Sequence, residues 1–439
     1  MKRFMFGLLA LAAGCKAPAP EVRIQARAIS PAEAPDLDPA PGQARFHLTA
    51  AALPDGAPYL YAYEGQNPGP TIRVQRGDTV TVELTNQLDA PTTIHWHGLH
   101  VPFDMDGVAW MRSPVGAGET FTYSFTVNQV GTFWYHPHFN THQQVEGGLY
   151  GAFIVEDPAE PVADQDVVLI FDAEAEARAP SPTHGHGKLA TKWRVNGLER
   201  PTLEAAGGTV VRARLLNAAS AGYLALRAPE LRVIAHDQGL ASALETPELL
   251  VLGPGDRAEV EWRIGEAGFT LETLPYSLNG GLAFGDPTPL LDVAVTAPAP
   301  APAGLAWAFD GAAPTADPGA TDIVYAFAGS DRTEVWMING ERFPNVTIHE
   351  LPVGQPRTIE VRNLSPSEHP FHTHGMSFEV LSINGQAPAA RRVEDTLNLG
   401  IRDAVRLLVR PEVPGDWMTH CHILPHAEDG MMTVLRVTP

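Results

Sequence analysis

The chain has 439 residues, among them 40 Gly and 40 Pro, and a formal net charge of −21. That charge argues against nucleic acid as a partner, because a polyphosphate backbone repels an acidic surface. The length suits about three domains, and frequent Gly and Pro with few helix-forming runs suit an all-β chain of short strands and turns.

Met1-Lys2-Arg3 is basic and Phe4 to Ala13 is apolar. That run is too short to span a bilayer and suits the hydrophobic part of an export signal. Its end, Leu11-Ala12-Ala13-Gly14-Cys15, resembles the lipobox of bacterial lipoproteins, with Ala12 standing where Leu is usual. Residues 1–15 therefore read as a signal for export to the periplasm or cell envelope, with Cys15 as the lipid anchor point if the lipoprotein route is taken. The second cysteine is Cys421, so an oxidising compartment is met without a disulfide framework. Residues 16–41, rich in Pro and Ala, read as a tether. EDPAEP at 156–161 and the semi-rigid run APAPAPAG at 297–304 mark further boundaries. The resulting domains are 42–158, 159–298 and 299–439, in a chain expected to be a monomer.

The three blocks repeat one another. Gly77 to Asn86, Gly208 to Asn217 and Gln355 to Asn363 each read as a strand with apolar residues at alternate positions, closing on Asn. Nine residues past Asn86 comes His95-Trp96-His97-Gly98, and nine past Asn363 comes His372-Thr373-His374-Gly375; nine past Asn217 comes Leu226. Later in each block Gly131 to Tyr135 leads to His136-Pro137-His138, and Gly415 to Thr419 leads to His420-Cys421-His422. The counterpart Gly268 to Glu272 leads only to Thr273-Leu274-Pro275. Two blocks thus supply two His-x-His pairs each and the middle one none. Eight paired imidazoles from two related domains imply a polynuclear metal cluster at the interface of domains 1 and 3, since one closed zinc site takes four ligands.

Parity along a strand separates a second site. His420 and His422 share one face and Cys421 takes the other. His369 lies three residues before His372 and faces the Cys421 side. His426 and Met431 follow at plus five and plus ten, on a loop expected to fold back towards the sulfur. Cys, two His and Met are the ligand set of a blue-copper centre; a zinc site is the plainer alternative, but zinc rarely takes Met. In domain 1, Thr92 and Pro137 stand where His369 and Cys421 stand, so this site is expected once.

The motifs HWHG, HPH, HPFHTHG and HCHILPHAEDGMM resemble those of the multicopper oxidases, specifically three-domain bacterial laccase-like enzymes, from about Gly42 to the end. The resemblance implies three cupredoxin-like Greek-key β-sandwich domains and four copper ions. His95 and His372 would hold type 2 copper. His97, His136, His138, His374, His420 and His422 would hold the type 3 pair, and His369, Cys421, His426 and axial Met431 type 1. It implies that a small-molecule or metal-ion donor (a phenol, an aromatic amine or an ion such as cuprous) gives single electrons near an exposed edge of His426. Cys421 would carry them to the cluster, where dioxygen becomes water. Asp106, after HWHG, is the expected proton relay, against the plainer reading of a turn aspartate. Relatives often carry a second acid after the last histidine, where this chain has Ala427; Glu428 is close by. His100 and His142 read as loop groups. His184 and His186 read as a loop that would capture metal weakly, and His47, His236 and His349 carry no signal. A non-catalytic copper carrier or envelope scaffold is the alternative function, and a copper nitrite reductase would need fewer ligands.

Overall fold

A computed structural model describes residues 29–110, 112–174, 192–330, 332–333 and 335–439. Cys15 and the His184/His186 pair lie outside the described residues. The chain forms three successive β-sandwiches, as expected of Greek-key domains. Each is built around one of the repeated strands, Thr79–Asn86, Val210–Asn217 and Arg357–Asn363. In the first of these, Val80, Val82 and Leu84 alternate into the core while the threonines face outward. All three pair in parallel with the opening strand of their domain, Gln43–Ala52, Gln165–Glu174 and Ile323–Ser330.

The closing asparagine does the same work each time. Asn86 Nδ2 donates to the carbonyls of Ala90 and Val115 at 2.9 Å, and its Oδ1 accepts the Leu88 N–H. Asn217 binds the Gly222 and Leu252 carbonyls and the Ala219 N–H. Asn363 binds the Ser367 and Leu399 carbonyls and the Ser365 N–H. A buried side-chain amide satisfies a turn that cannot satisfy itself, and the turn launches the next strand, on which ligands fall in the outer domains.

That strand pairs with the one carrying the second motif. His95 faces His136 across Cα partners in domain 1, and His372 faces His420 in domain 3. Leu226 faces Thr273 in the middle domain. The stretch read as a tether departs from that reading from Ile29 onward. Ile29 is buried in the middle domain's core and its carbonyl accepts Asn196 Nδ2 at 2.8 Å; Glu33 pairs with Arg73 of domain 1. Similarly, the chain past 299 stays on the middle domain through Trp307, whose Nε1 donates to Glu261 at 2.7 Å. Isolated apolar residues within Pro/Ala-rich runs supply the buried area that composition hides. Among the described residues no helix is long and apolar enough to cross a membrane.

Candidate metal centres

Cys421 ends the strand Gly415–Cys421 with its sulfur fully buried. His369 Nδ1 lies 3.4 Å and His426 Nδ1 3.8 Å from Sγ, and the two Nδ1 atoms are 3.3 Å apart. The other nitrogen of His369 is 2.6 Å from Ser365 Oγ, which leaves Nδ1 to face inward. His426 sits on a short helix, Leu424–Glu428, rather than on the expected loop. The helix brings Met431 back: its N–H donates to the His426 carbonyl at 3.0 Å and its carbonyl accepts the Cys421 N–H at 3.1 Å. Met431 is fully buried in the core cluster that contains Cys421.

Burial pushes the Cys421 thiol up and pulls His369 down to about 3. A buried thiol facing neutral imidazoles is a poor acid by itself, and a bound cation is what makes the thiolate. The set therefore fits a soft metal. The expected exposed edge of His426 is not there. The imidazole is fully buried, because the Trp336 ring stacks on it at 3.7 Å and 22°.

On the opposite face of the same strand, eight imidazoles converge. His97, His136 and His422 offer nitrogens within 4.8 Å of one another, as do His138, His374 and His420; His95 and His372 group with His97. His374 Nε2 is 3.0 Å and His138 Nε2 3.5 Å from His420 Nε2. His95 Nε2, His97 Nδ1, His136 Nε2, His372 Nε2 and both nitrogens of His422 are buried without a hydrogen-bond partner. Native proteins rarely strand so many polar atoms in one place. Burial pulls His97, His136, His138, His374 and His422 well below the usual imidazole range, and neighbouring histidines push the same way. Neutral imidazoles aiming free lone pairs at a common centre fit metal ions.

Asp106 lies fully buried between the outer domains. Its Oδ1 is 3.1 Å from His95 Nδ1 and its Oδ2 2.7 Å from His374 Nδ1. The turn that returns it needs Gly107, where φ is +77° and a Cβ would overlap the Ile94 carbonyl. In domain 1 the place of the cysteine site is closed by Thr92 Oγ1 donating to Gln144 Oε1 at 2.7 Å. Glu428 accepts the His142 N–H at 2.8 Å, and His100 pairs with Glu412; neither histidine joins a ligand group.

Four groups escape the motif reading. Asp395 is 3.1 Å from His97 Nε2, and its carbonyl is 2.9 Å from His372 Nδ1. Arg257 of the middle domain pairs with Asp395. Trp336 and the pair Tyr276–Glu368, 3.0 Å apart, lie beside the cysteine site. Arg257, Trp336, Asp395 and Tyr276 stand far from any His-x-His in sequence; Glu368 directly precedes His369, but nothing in the motif itself marks it. The middle-domain stretch from Leu274 to Gly281 approaches this site through Tyr276 and through Asn279, which accepts from Ser367 Oγ at 2.7 Å.

Two family profiles, both described as multicopper oxidase, match residues 49–160 and 316–439, together more than half of the chain. The chain is 28% identical over 423 residues to the multicopper oxidase MmcO of Mycobacterium tuberculosis, covering 85% of this chain and 82% of that protein. Among solved structures, a multicopper oxidase from Campylobacter jejuni, titled a metallo-oxidase, superposes with a TM-score of 0.79 at 26% identity, covering 93% of this chain and 94% of that one. A laccase from Pediococcus acidilactici superposes with a TM-score of 0.81 at 25% identity, covering 93% of both chains.

Proposed function

This chain belongs to the multicopper oxidases, and we propose that it takes single electrons from a small organic or metal-ion donor at the Cys421 site and passes them to dioxygen at the eight-histidine site. The observation that carries this reading is His420-Cys421-His422, one tripeptide with a side chain in each site. Bound copper supplies the one-electron chemistry. His369, Cys421, His426 and Met431 hold the first ion. His97, His136 and His422 serve one member of a pair, and His138, His374 and His420 the other. His95 and His372 remain for a third, so each imidazole is used once. Seating His420 and His422 on different members makes Cys421 the bridge to both.

Asp106 holds the Nδ1 protons of His95 and His374 and so fixes which nitrogen faces inward. It is also the buried carboxylate best placed to pass a proton towards dioxygen. Trp336, itself fully buried, stacks on His426, so a donor passes its electron across packed side chains rather than to an open imidazole edge. The relatives' names include both laccase and metallo-oxidase, which supports either a phenol or an ion such as cuprous as the donor. The basic and apolar start of the sequence supports export, with Cys15 as the anchor point.

The test is oxygen uptake by the copper-loaded protein with a phenol and then with cuprous ion, with Cys421→Ser alongside. Uptake in the wild type that vanishes with the blue colour in the variant is expected. A blue protein that consumes no oxygen with either donor would overturn the reading in favour of a copper carrier.

A further inference from the structure

Among the described residues the middle domain contributes to none of the metal-ligand groups, yet one of its loops reaches both sides of the eight-histidine site. Gly253-Pro254-Gly255-Asp256-Arg257 leads into the strand Arg257–Arg263. At Gly255 the backbone lies flat on the His422 ring of domain 3. A Cβ there would sit 3.0 Å from the imidazole, and φ is +90°. Two residues later the fully buried Arg257 spans all three domains. Its Nε donates to the Thr132 carbonyl of domain 1 at 3.0 Å. Its Nη1 donates to Asp395 Oδ1 of domain 3 at 2.7 Å, with Nη2 on Oδ2 completing the fork. Its own N–H donates to Asp237 Oδ1 at 2.9 Å. Asp237 Oδ2 in turn accepts the Thr396 N–H at 3.0 Å, so the backbone of 395–396 is held as well as the carboxylate.

What Asp395 does with that support is specific. Its Oδ1 lies 3.1 Å from Nε2 of His97, a domain 1 residue, and its carbonyl 2.9 Å from Nδ1 of His372. An imidazole that donates from Nε2 keeps its lone pair on Nδ1, and Nδ1 of His97 is the buried atom without a partner. His95, His136 and His372 strand Nε2 instead, and His138, His374 and His420 also converge through Nε2. His97 is therefore the ligand turned the other way, and the acceptors that turn it are Asp395 Oδ1 and the Thr396 hydroxyl, 3.0 Å from the same Nε2 and itself held by donating to Asp395 Oδ1 at 2.8 Å.

We infer that the loop 253–257 of the copper-free domain is a positioning element for the eight-histidine site, in which Arg257 clamps Asp395 in the orientation that makes His97 offer Nδ1. The inference rests on the oxidase reading above. Arg257 and Asp395 touch neither donor nor dioxygen; they are positioning residues. The rival view is that the pair merely joins domains. Arg257 Nη1 also lies 3.2 Å from Asp237 Oδ1, so removing the Arg257–Asp395 pair strips buried Asp237 of its counter-charge and lowers stability on either view; the two views separate in what a double variant does to the copper.

The experiment compares the wild-type full chain with Arg257→Met/Asp395→Leu and with Arg257→Lys, which keeps the charge but not the fork. It reads copper per chain, the blue band, the near-ultraviolet band of a bridged copper pair and the melting temperature of the copper-free protein. The double variant is expected to keep the blue band, to melt lower than the wild type in the copper-free form because Asp237 loses its counter-charge, and to lose the near-ultraviolet band with at least one copper. Arg257→Lys is expected to keep its copper with a weakened near-ultraviolet band. A full copper count with an undiminished near-ultraviolet band in the double variant would overturn the inference. If the double variant does not fold, an unchanged band in Arg257→Lys overturns it. A wild type that lacks the near-ultraviolet band and binds a single copper would bring down the oxidase reading itself, and the inference with it.

Discussion

Asp106→Asn changes one atom and leaves the shape of the site intact. His95 strands Nε2 inward and His374 aims Nε2 at His420, so both Nδ1 atoms are donors, and the carboxylate accepts from both. An amide accepts with one atom only. The shorter contact, 2.7 Å to His374, keeps the oxygen, and the amide nitrogen then faces His95 Nδ1 donor to donor. His95 retains a substitute acceptor, the Asp106 carbonyl at 3.1 Å. The net loss is one hydrogen bond to a charged group, about 1.5–3 kcal/mol, or roughly 10- to 100-fold in an equilibrium or rate constant. Because the carbonyl remains, copper affinity is expected to fall towards the lower end, about 10-fold, as outer-shell changes at metal sites do. Turnover is expected to fall further, towards about 100-fold, because the carboxylate proposed to relay protons is gone as well. Copper affinity is measured by competition with a chelator and turnover by oxygen uptake. Wild-type turnover in the variant would refute the proton role. Loss of the blue band would refute the confinement of Asp106 to the histidine site.

Trp336→Ala removes the ring stacked on His426. Core Trp→Ala changes cost about 3–5 kcal/mol, so a lower denaturation midpoint is expected. KM for a bulky phenol is expected to drop more than KM for cuprous ion, and an unchanged ratio would refute the capping role. In the copper-free protein, burial holds His369 and His420 down to about 3, whereas the unfolded chain takes up those protons near pH 6.5. The unfolded state binds more protons between these values. Stability is therefore full above about pH 6.5 and falls as pH drops towards about 3. Melting temperatures measured down this range are expected to decline steadily, and a flat profile from about pH 7 to about pH 4 would refute the burial argument.

Much of this protein is set by short-range pattern. Alternation along Thr79–Asn86 and its two repeats is enough to define the strands, because a residue's face on a strand depends only on parity. The same parity puts His420 and His422 on one side of the backbone and Cys421 on the other, and the spacing from Asn86 and Asn363 places His95, His97, His372 and His374. The tertiary structure decided what parity cannot reach. Trp336 covers His426, Ile29 leaves the tether for the middle domain's core, and Arg257 and Asp395, 138 residues apart in sequence, meet beside His97. Each of these is a contact between segments with no common period. Its energy comes from burial and charge pairing that exist only once the chain has folded and, for Ile29 and Arg257, once neighbouring segments or domains have closed on one another.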